Sequence, residues 1–187
     1  VSDPPLASQD DPAFARHWAF YNSAALALGK LRDPRALRPL LRPQVDHELA
    51  ARAVRTMAGS RAGELLVQAL GDAEPRVRAA AALALYHLRE RVALAPLLAA
   101  LQDPEALVRG GAALALCPLR DAQAFGPLLA ALDDPEPLVR KNAARALGEL
   151  GDTRAVARLQ AAMTDQAAMV RAEAGTALRR FARQAAP

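Results

Sequence analysis

The chain has few of the residues on which most catalytic and metal-binding sites depend. Its 187 residues include three histidines and a single cysteine, Cys117. One cysteine excludes an internal disulfide, and we interpret it as a small buried hydrophobe. The sequence also has no glycine-rich phosphate loop and no recognisable spacing of a serine or cysteine with a histidine and a carboxylate. We therefore expect a protein that is not an enzyme and that uses no metal or cofactor.

Aromatic residues are also scarce, at 4% of the chain, although hydrophobic residues make up 52%. The core must therefore be built from alanine, leucine and valine, a composition that favours closely packed helices over sheets. No apolar run approaches the length of about 18 residues that a membrane-spanning helix needs. No signal peptide is recognisable, and we expect a cytoplasmic protein.

Lysine is nearly absent. Lys30 and Lys141 are the only two, so arginine carries almost all of the positive charge behind the net charge of +4. A basic chain can favour acidic partners or nucleic acid. An arginine-rich and lysine-poor composition is equally typical of a GC-rich genome, so the charge alone does not decide the function.

What the chain has in abundance is repetition, with a period of 31 residues. An aspartate recurs at this interval, and a Val-Arg pair follows it so that the arginine comes six residues after the aspartate. A fixed period of this length is typical of a solenoid, in which one small unit is copied and stacked. The recurring residues are Asp72, Asp103, Asp134 and Asp165 and the arginines Arg78, Arg109, Arg140 and Arg171.

The unit at 134–164 is the most regular and predicts two helices. We expect Asp134 to cap the first helix, with Pro135 at its first position. Apolar residues then recur at helical spacing until Gly151, which allows a tight turn. A second apolar stripe from Val156 to Met163 predicts a helix of about three turns. Each unit is thus a pair of antiparallel helices.

The pattern predicts one all-α domain over 12–187, a right-handed α-solenoid of about five stacked helix pairs with a C-terminal capping helix. Residues 1–11 should form a flexible lead-in, because they are rich in Pro, Asp and Ser. The first helix is predicted to be long, with Phe14, Trp18 and Phe20 near its start as a cap on the open end of the stack. The predicted repeats lie near 12–43, 44–70, 71–101, 102–132 and 133–163, and the capping helix covers 165–183.

The stretch DPEPLVRKNAARALGELGDTRAVARL, which begins at Asp134, resembles the short bacterial and archaeal HEAT-like repeats of the phycobilisome-lyase type. ALGKLRDPRALRPLL at 27–41 resembles the second half of the same repeat. The resemblance implies a stack of helix pairs, but such repeats serve many unrelated tasks. In HEAT proteins, aspartates and arginines at the turns form a ladder between units. The resemblance therefore implies a structural role for the recurring Asp and Arg residues, in place of a phosphate-binding stripe.

Some members of that family hold iron through several His-Glu pairs. Here His47-Glu48 is the only such pair, which falls short of the ligand count of a closed metal site. We therefore interpret Asp46 as the cap of a helix and the His-Glu pair as part of its solvated first turn.

The remaining candidate for function is the surface of the stack. We expect the second helix of each pair to line the concave face, with small residues in the middle of the groove and arginines toward its ends. Such a groove fits a helical or extended segment of another protein, whose acidic groups the arginines would clamp. The candidate contact residues are Arg35, Arg38, Arg42, Arg61, Gln68, Gln123, Arg154 and Arg158.

The leading hypothesis is therefore a non-catalytic scaffold or adaptor that binds a partner segment in the concave groove. The arginine clusters leave DNA binding as an alternative. The family resemblance leaves a second one, an accessory subunit of a bilin lyase or a related chaperone. Because the sequence starts at Val1, the regulatory arm of a larger protein is a third.

Overall fold

The computed structural model describes residues 23–30, 33–42 and 45–184, without the side chains of Pro34 and Gln184. Within these ranges the regular structure is entirely helical. The predicted lead-in and the predicted aromatic cap around Trp18 lie outside the described residues. None of the described helices is both long enough and apolar enough to cross a membrane.

Long and short helices alternate along the chain. A 3-10 turn precedes each short helix, at Pro34–Ala36, Gly59–Arg61, Arg91–Ala93, Ala122–Ala124 and Thr153–Ala155. The short helices are α2 (Leu37–Leu40), α4 (Ala62–Ala69), α6 (Leu94–Ala100), α8 (Phe125–Ala131) and α10 (Val156–Ala162). The helix at 23–30 is α1, and the long helices that follow are α3 (His47–Ala58), α5 (Pro75–Leu88), α7 (Ala106–Leu116), α9 (Pro137–Leu150) and α11 (Ala168–Gln184).

The start of α9 differs from the prediction, because Asp134 does not cap the helix. The helix begins at Pro137, and the residue before it, Glu136, is extended. Pro137 suits this start, because a proline disfavours the helical conformation in the residue before it. The equivalent helices α7 and α11 begin at the same position of the repeat without a proline there. The Asp134 carboxylate instead accepts a hydrogen bond from the Glu136 backbone N–H at 2.9 Å, in the turn before the helix. For α3 the predicted cap is confirmed, since Asp46 accepts a bond from the Leu49 N–H at 3.0 Å.

The helix ends follow from single residues. Gly151 ends α9 in the left-handed conformation, with φ of 77°. In the preceding unit Pro118 lacks a backbone N–H, so α7 stops at Leu116 and a 3-10 turn continues the chain. The short helix α10 has seven residues, or two turns, because the 3-10 turn before it replaces the first of the three predicted turns.

Leucine, valine and alanine form the core between the two layers of helices. Leu85 and Leu147 of the long helices and Leu97 of a short helix are 0 to 1% exposed. Met163, which was predicted to close the second stripe of its unit, is 42% exposed. The reason is that no further short helix follows α10 in the described part of the chain to cover it.

The long helices lie closer together than the short ones. From α5 to α11, consecutive long helices pack directly against each other, whereas consecutive short helices from α4 to α10 barely make contact. In a curved stack, the layer with the closer spacing is the inner one. Arg145 of α9 also reaches over α7 to the Tyr86 hydroxyl of α5 at 3.4 Å, a contact between alternate helices that is expected on the inner side of a curve. The long helices therefore form the concave face, which corrects the expectation that the second helix of each pair lines it.

Candidate interaction surface

The recurring aspartates and arginines form a ladder along one edge of the stack. In the central rung, Nε and Nη2 of Arg109 donate to the two carboxylate oxygens of Asp134 in the next unit, at 2.7 and 3.0 Å. The remaining nitrogen, Nη1, donates to the backbone carbonyls of Asp103 and Pro104 in the turn of its own unit, at 2.9 and 3.0 Å. The same bonds join Arg78 to Asp103 and Arg140 to Asp165.

These ion pairs are nearly buried, and they keep the aspartates ionised. Burial raises the pKa of Asp134, but the hydrogen bonds from Arg109 and from the Glu136 N–H outweigh this effect, so the pKa lies below its ordinary value. The pKa of Asp72 falls to about 2, first because of the hydrogen bond from Arg38. The arginines of the rungs are therefore held by carboxylates and do not form a free phosphate-binding stripe.

The two ends of the ladder differ from its middle. Arg38 of α2 supplies the guanidinium that holds Asp72, at 2.6 and 2.9 Å. At the other end, Arg171 keeps the two bonds to the carbonyls of its own turn, Asp165 and Gln166. No aspartate follows it among the described residues, so its remaining nitrogens are open to solvent.

The eight candidate contact residues all lie in the short helices or in the 3-10 turns before them, or just after α2, and so on the outer layer. Arg42, Gln68 and Gln123 are exposed. The five other candidates do not form a free basic clamp, because each is an arginine paired with a carboxylate of its own chain. One of the five, Arg154, also lies 4.2 Å above the ring of Phe125. The pairs are Arg35 with Asp33, Arg38 with Asp72, Arg61 with Glu64, Arg154 with Asp152 and Arg158 with Asp133.

The concave face carries a row of large apolar side chains that the sequence analysis missed. Leu107, Leu138 and Met169, here called the apolar strip, take the same position in α7, α9 and α11 and are 60%, 37% and 50% exposed. Leu114 lies two turns further along α7 on the same face of the helix and is half-buried. The signal was present in the sequence as a large apolar residue directly before the buried valine of three successive units, whereas the unit before them has Arg76 at this position.

A row of glutamates borders the apolar strip. Glu74, Glu105 and Glu136, here called the acidic rim, are exposed and precede the first residues of α5, α7 and α9. Their backbone N–H groups each donate to the ladder aspartate two residues earlier, at 2.9 Å in all three turns. The ladder therefore fixes the position of the acidic rim.

Groups suited to catalysis or to metal binding are few in the described part of the chain. Cys117 is buried, and burial raises the pKa of its thiol to about 12, so it is unreactive at neutral pH. The rings of His47 and His87 lie 5.2 Å apart. Among the described side chains there is no group of three or more His, Cys, Asp or Glu that could hold a metal ion.

Solved structures with similar architecture cover nearly the whole chain. The complex of CpcE and CpcF of phycocyanin lyase from Nostoc sp. PCC7120 matches with 23% identity and a TM-score of 0.63, over 98% of this chain and 71% of the other. A designed armadillo repeat protein in complex with the peptide (KR)4 matches with 23% identity and a TM-score of 0.61, over 94% and 96%. An engineered protein of the Northeast Structural Genomics Consortium matches with 20% identity and a TM-score of 0.59, over 95% and 94%. These similarities confirm the all-α solenoid.

Family models give the same result from the sequence. The model of HEAT repeats matches residues 42–117 and 94–179, and the model of the PBS lyase HEAT-like repeat matches residues 21–42. No curated protein matches the chain significantly. The two HEAT matches together cover well over half of the sequence, and the chain belongs to the HEAT-repeat family.

Proposed function

We propose that the protein is a non-catalytic scaffold or adaptor that binds a segment of another protein along its concave face. The observation that carries this proposal is the apolar strip, in which three large apolar side chains are exposed at equivalent positions of consecutive long helices. Isolated exposed leucines are ordinary, but a contiguous apolar row marks a surface that gains free energy when a partner covers it.

The fold supports this use of the surface. The ladder and the packing of the long helices hold the apolar strip in place before any partner arrives, which lowers the entropic cost of binding. Proteins of similar fold are found with protein ligands, namely the designed armadillo repeat protein with its peptide and CpcE with CpcF. Binding of acidic groups or DNA by the outer arginines has less support, because most of these arginines would first have to leave a carboxylate of their own chain.

The test compares two apolar surfaces of the same molecule. A partner captured by the wild-type protein is identified by mass spectrometry and titrated against the double variant Leu107→Asp/Leu138→Asp. Val92→Asp is the matched control, because Val92 is 51% exposed but lies in the 3-10 turn before a short helix. We expect the double variant to bind at least about tenfold more weakly and the control to bind like the wild type. Equal affinity of all three proteins would show that the concave face is not the binding surface.

A further inference from the structure

We infer that the bound segment is an extended chain with a basic residue at every third position, each followed by an apolar residue. The inference rests on the proposed function, because it names the partner chemistry of the same surface. Two observations carry it: the charge of the acidic rim beside the apolar strip, and the spacing of the helices that present both rows.

The carboxylates of the rim stay outside the ion pairs of the ladder. None of the three rim carboxylates forms an ion pair with another described residue. The ladder guanidinium groups lie close enough to interact with them electrostatically, but each of these groups is hydrogen-bonded to an aspartate. In each of the units of α7 and α9, a rim glutamate comes two residues before a leucine of the strip. A partner that covers the leucine therefore brings its next side chain to an exposed carboxylate. The carboxylate attracts a cationic side chain at this place and repels an anionic one.

The spacing of the rows selects an extended conformation. Closely packed helices lie about 8–10 Å apart, so both rows repeat at about that distance. A polyproline II chain has three residues per turn and rises about 3.1 Å per residue, which gives about 9.3 Å per turn. Its side chains at i, i+3 and i+6 therefore reach three successive units. An α-helix would need cations seven residues apart, with a rise of about 10.5 Å between them.

The rest of the concave face argues against a uniformly basic ligand. Lys141 and Arg145 lie on the outward face of α9, one and two turns beyond Leu138, and Arg145 is held near the Tyr86 hydroxyl. Cations deep in the groove would be repelled by these two residues. The surface therefore distinguishes a periodic basic-apolar segment from one that is merely rich in lysine.

The experiment uses labelled peptides and the full chain, with affinity measured by fluorescence anisotropy. The first peptide is Lys-Leu-Pro in four copies. The second has the same composition with the lysines in one block, the third has glutamate in place of lysine, and the fourth carries lysines seven residues apart. We expect the first peptide to bind at least about tenfold more tightly than each of the others. Equal or tighter binding of the block or glutamate peptide would overturn the charge pattern, and tighter binding of the fourth would overturn the extended conformation.

Protein variants locate the binding. Glu105→Gln/Glu136→Gln should weaken the first peptide about tenfold, because two exposed charge pairs are lost. Glu64→Gln is the control for the loss of an exposed carboxylate elsewhere, since Glu64 lies on a short helix, where it pairs with Arg61. If Leu107→Asp/Leu138→Asp abolishes capture of the natural partner while the glutamine variants leave its affinity unchanged, the inferred chemistry is wrong and the proposed surface stands. If neither double variant changes that affinity, both are wrong.

Discussion

At the scale of single residues, the close approach of the long helices depends on side chains no larger than a methyl group. A Cβ atom added to Gly148 of α9 would lie 2.6 Å from Cβ of Ala177 and 2.9 Å from its Cα, in α11. Because the Cα belongs to the backbone, α11 would have to move away as a whole. Gly111 of α7 faces Ala82 of α5 in a similar contact, with a distance of 3.2 Å between the added Cβ and the alanine Cβ.

The variant Gly148→Ala should therefore lower the free energy of unfolding. Overpacking should cost about 1–3 kcal/mol. The replacement of a helical glycine by alanine should offset up to about 1 kcal/mol of that cost. Gly126→Ala is the matched control, since Gly126 is also helical but an added Cβ would meet nothing within 4 Å. It should leave stability unchanged or raise it by up to about 1 kcal/mol. Urea unfolding followed by circular dichroism measures both. Equal effects would mean that the contact between α9 and α11 is looser than the structure shows.

At the scale of helices, each rung of the ladder ties the start of one long helix to the turn before the next. The Arg140 and Asp165 side chains are 15% and 13% exposed, so their pairing offsets a substantial desolvation cost. Such a pair adds little net stability, but removal of one partner leaves the other charge buried and unpaired. The same aspartates position the acidic rim, so a broken rung disturbs both the stack and the proposed binding surface.

A comparison of Arg140 with Arg171 separates the contribution of the bond between units from that of the bonds within one turn. Both donate to the carbonyls of their own turn, but only Arg140 also reaches an aspartate of the next unit. Arg140→Ala should cost about 2–4 kcal/mol, somewhat less than breaking a fully buried pair, and Arg171→Ala about 1 kcal/mol or less. Chemical unfolding gives the two values, and hydrogen exchange should show faster opening of α11 in Arg140→Ala. Similar costs for the two variants would show that the ladder bond contributes nothing beyond the turn.

At the scale of the whole molecule, the sequence predicts the structural features that recur in each unit, but it does not predict the contacts between units. The period gave the helix pairs and the recurring Asp and Arg residues, because these depend on local spacing. The curvature depends on how closely neighbouring helices pack, and no pattern within one unit reports that distance. The same limit applies to the two outer candidate arginines that pair with an aspartate distant in the sequence, Arg38 and Arg158. Arg158 and Asp133 are 25 residues apart, and only the stacking brings them together.

The carboxylates of the ladder also make the stability of the whole stack depend on pH. Their pKa values lie below the ordinary value of 3.8, and that of Asp72 lies near 2, so the unfolded state takes up protons first in acid. The stabilisation is complete above about pH 5 and is lost as the pH falls from about 4 toward 2. His87 acts in the same direction at higher pH. Burial and the charge of His47 lower its pKa from 6.5, so protonation of the unfolded state costs stability below that value.

We therefore expect the free energy of unfolding, measured in urea from pH 8 to pH 3, to fall in two stages. A smaller loss should begin near pH 6.5 and a larger one below pH 4. His87→Gln should remove the first stage and leave the second, because glutamine does not titrate. Stability that stays constant between pH 8 and pH 3 would contradict the assignment of both stages. A first stage that persists in His87→Gln would assign it to another group.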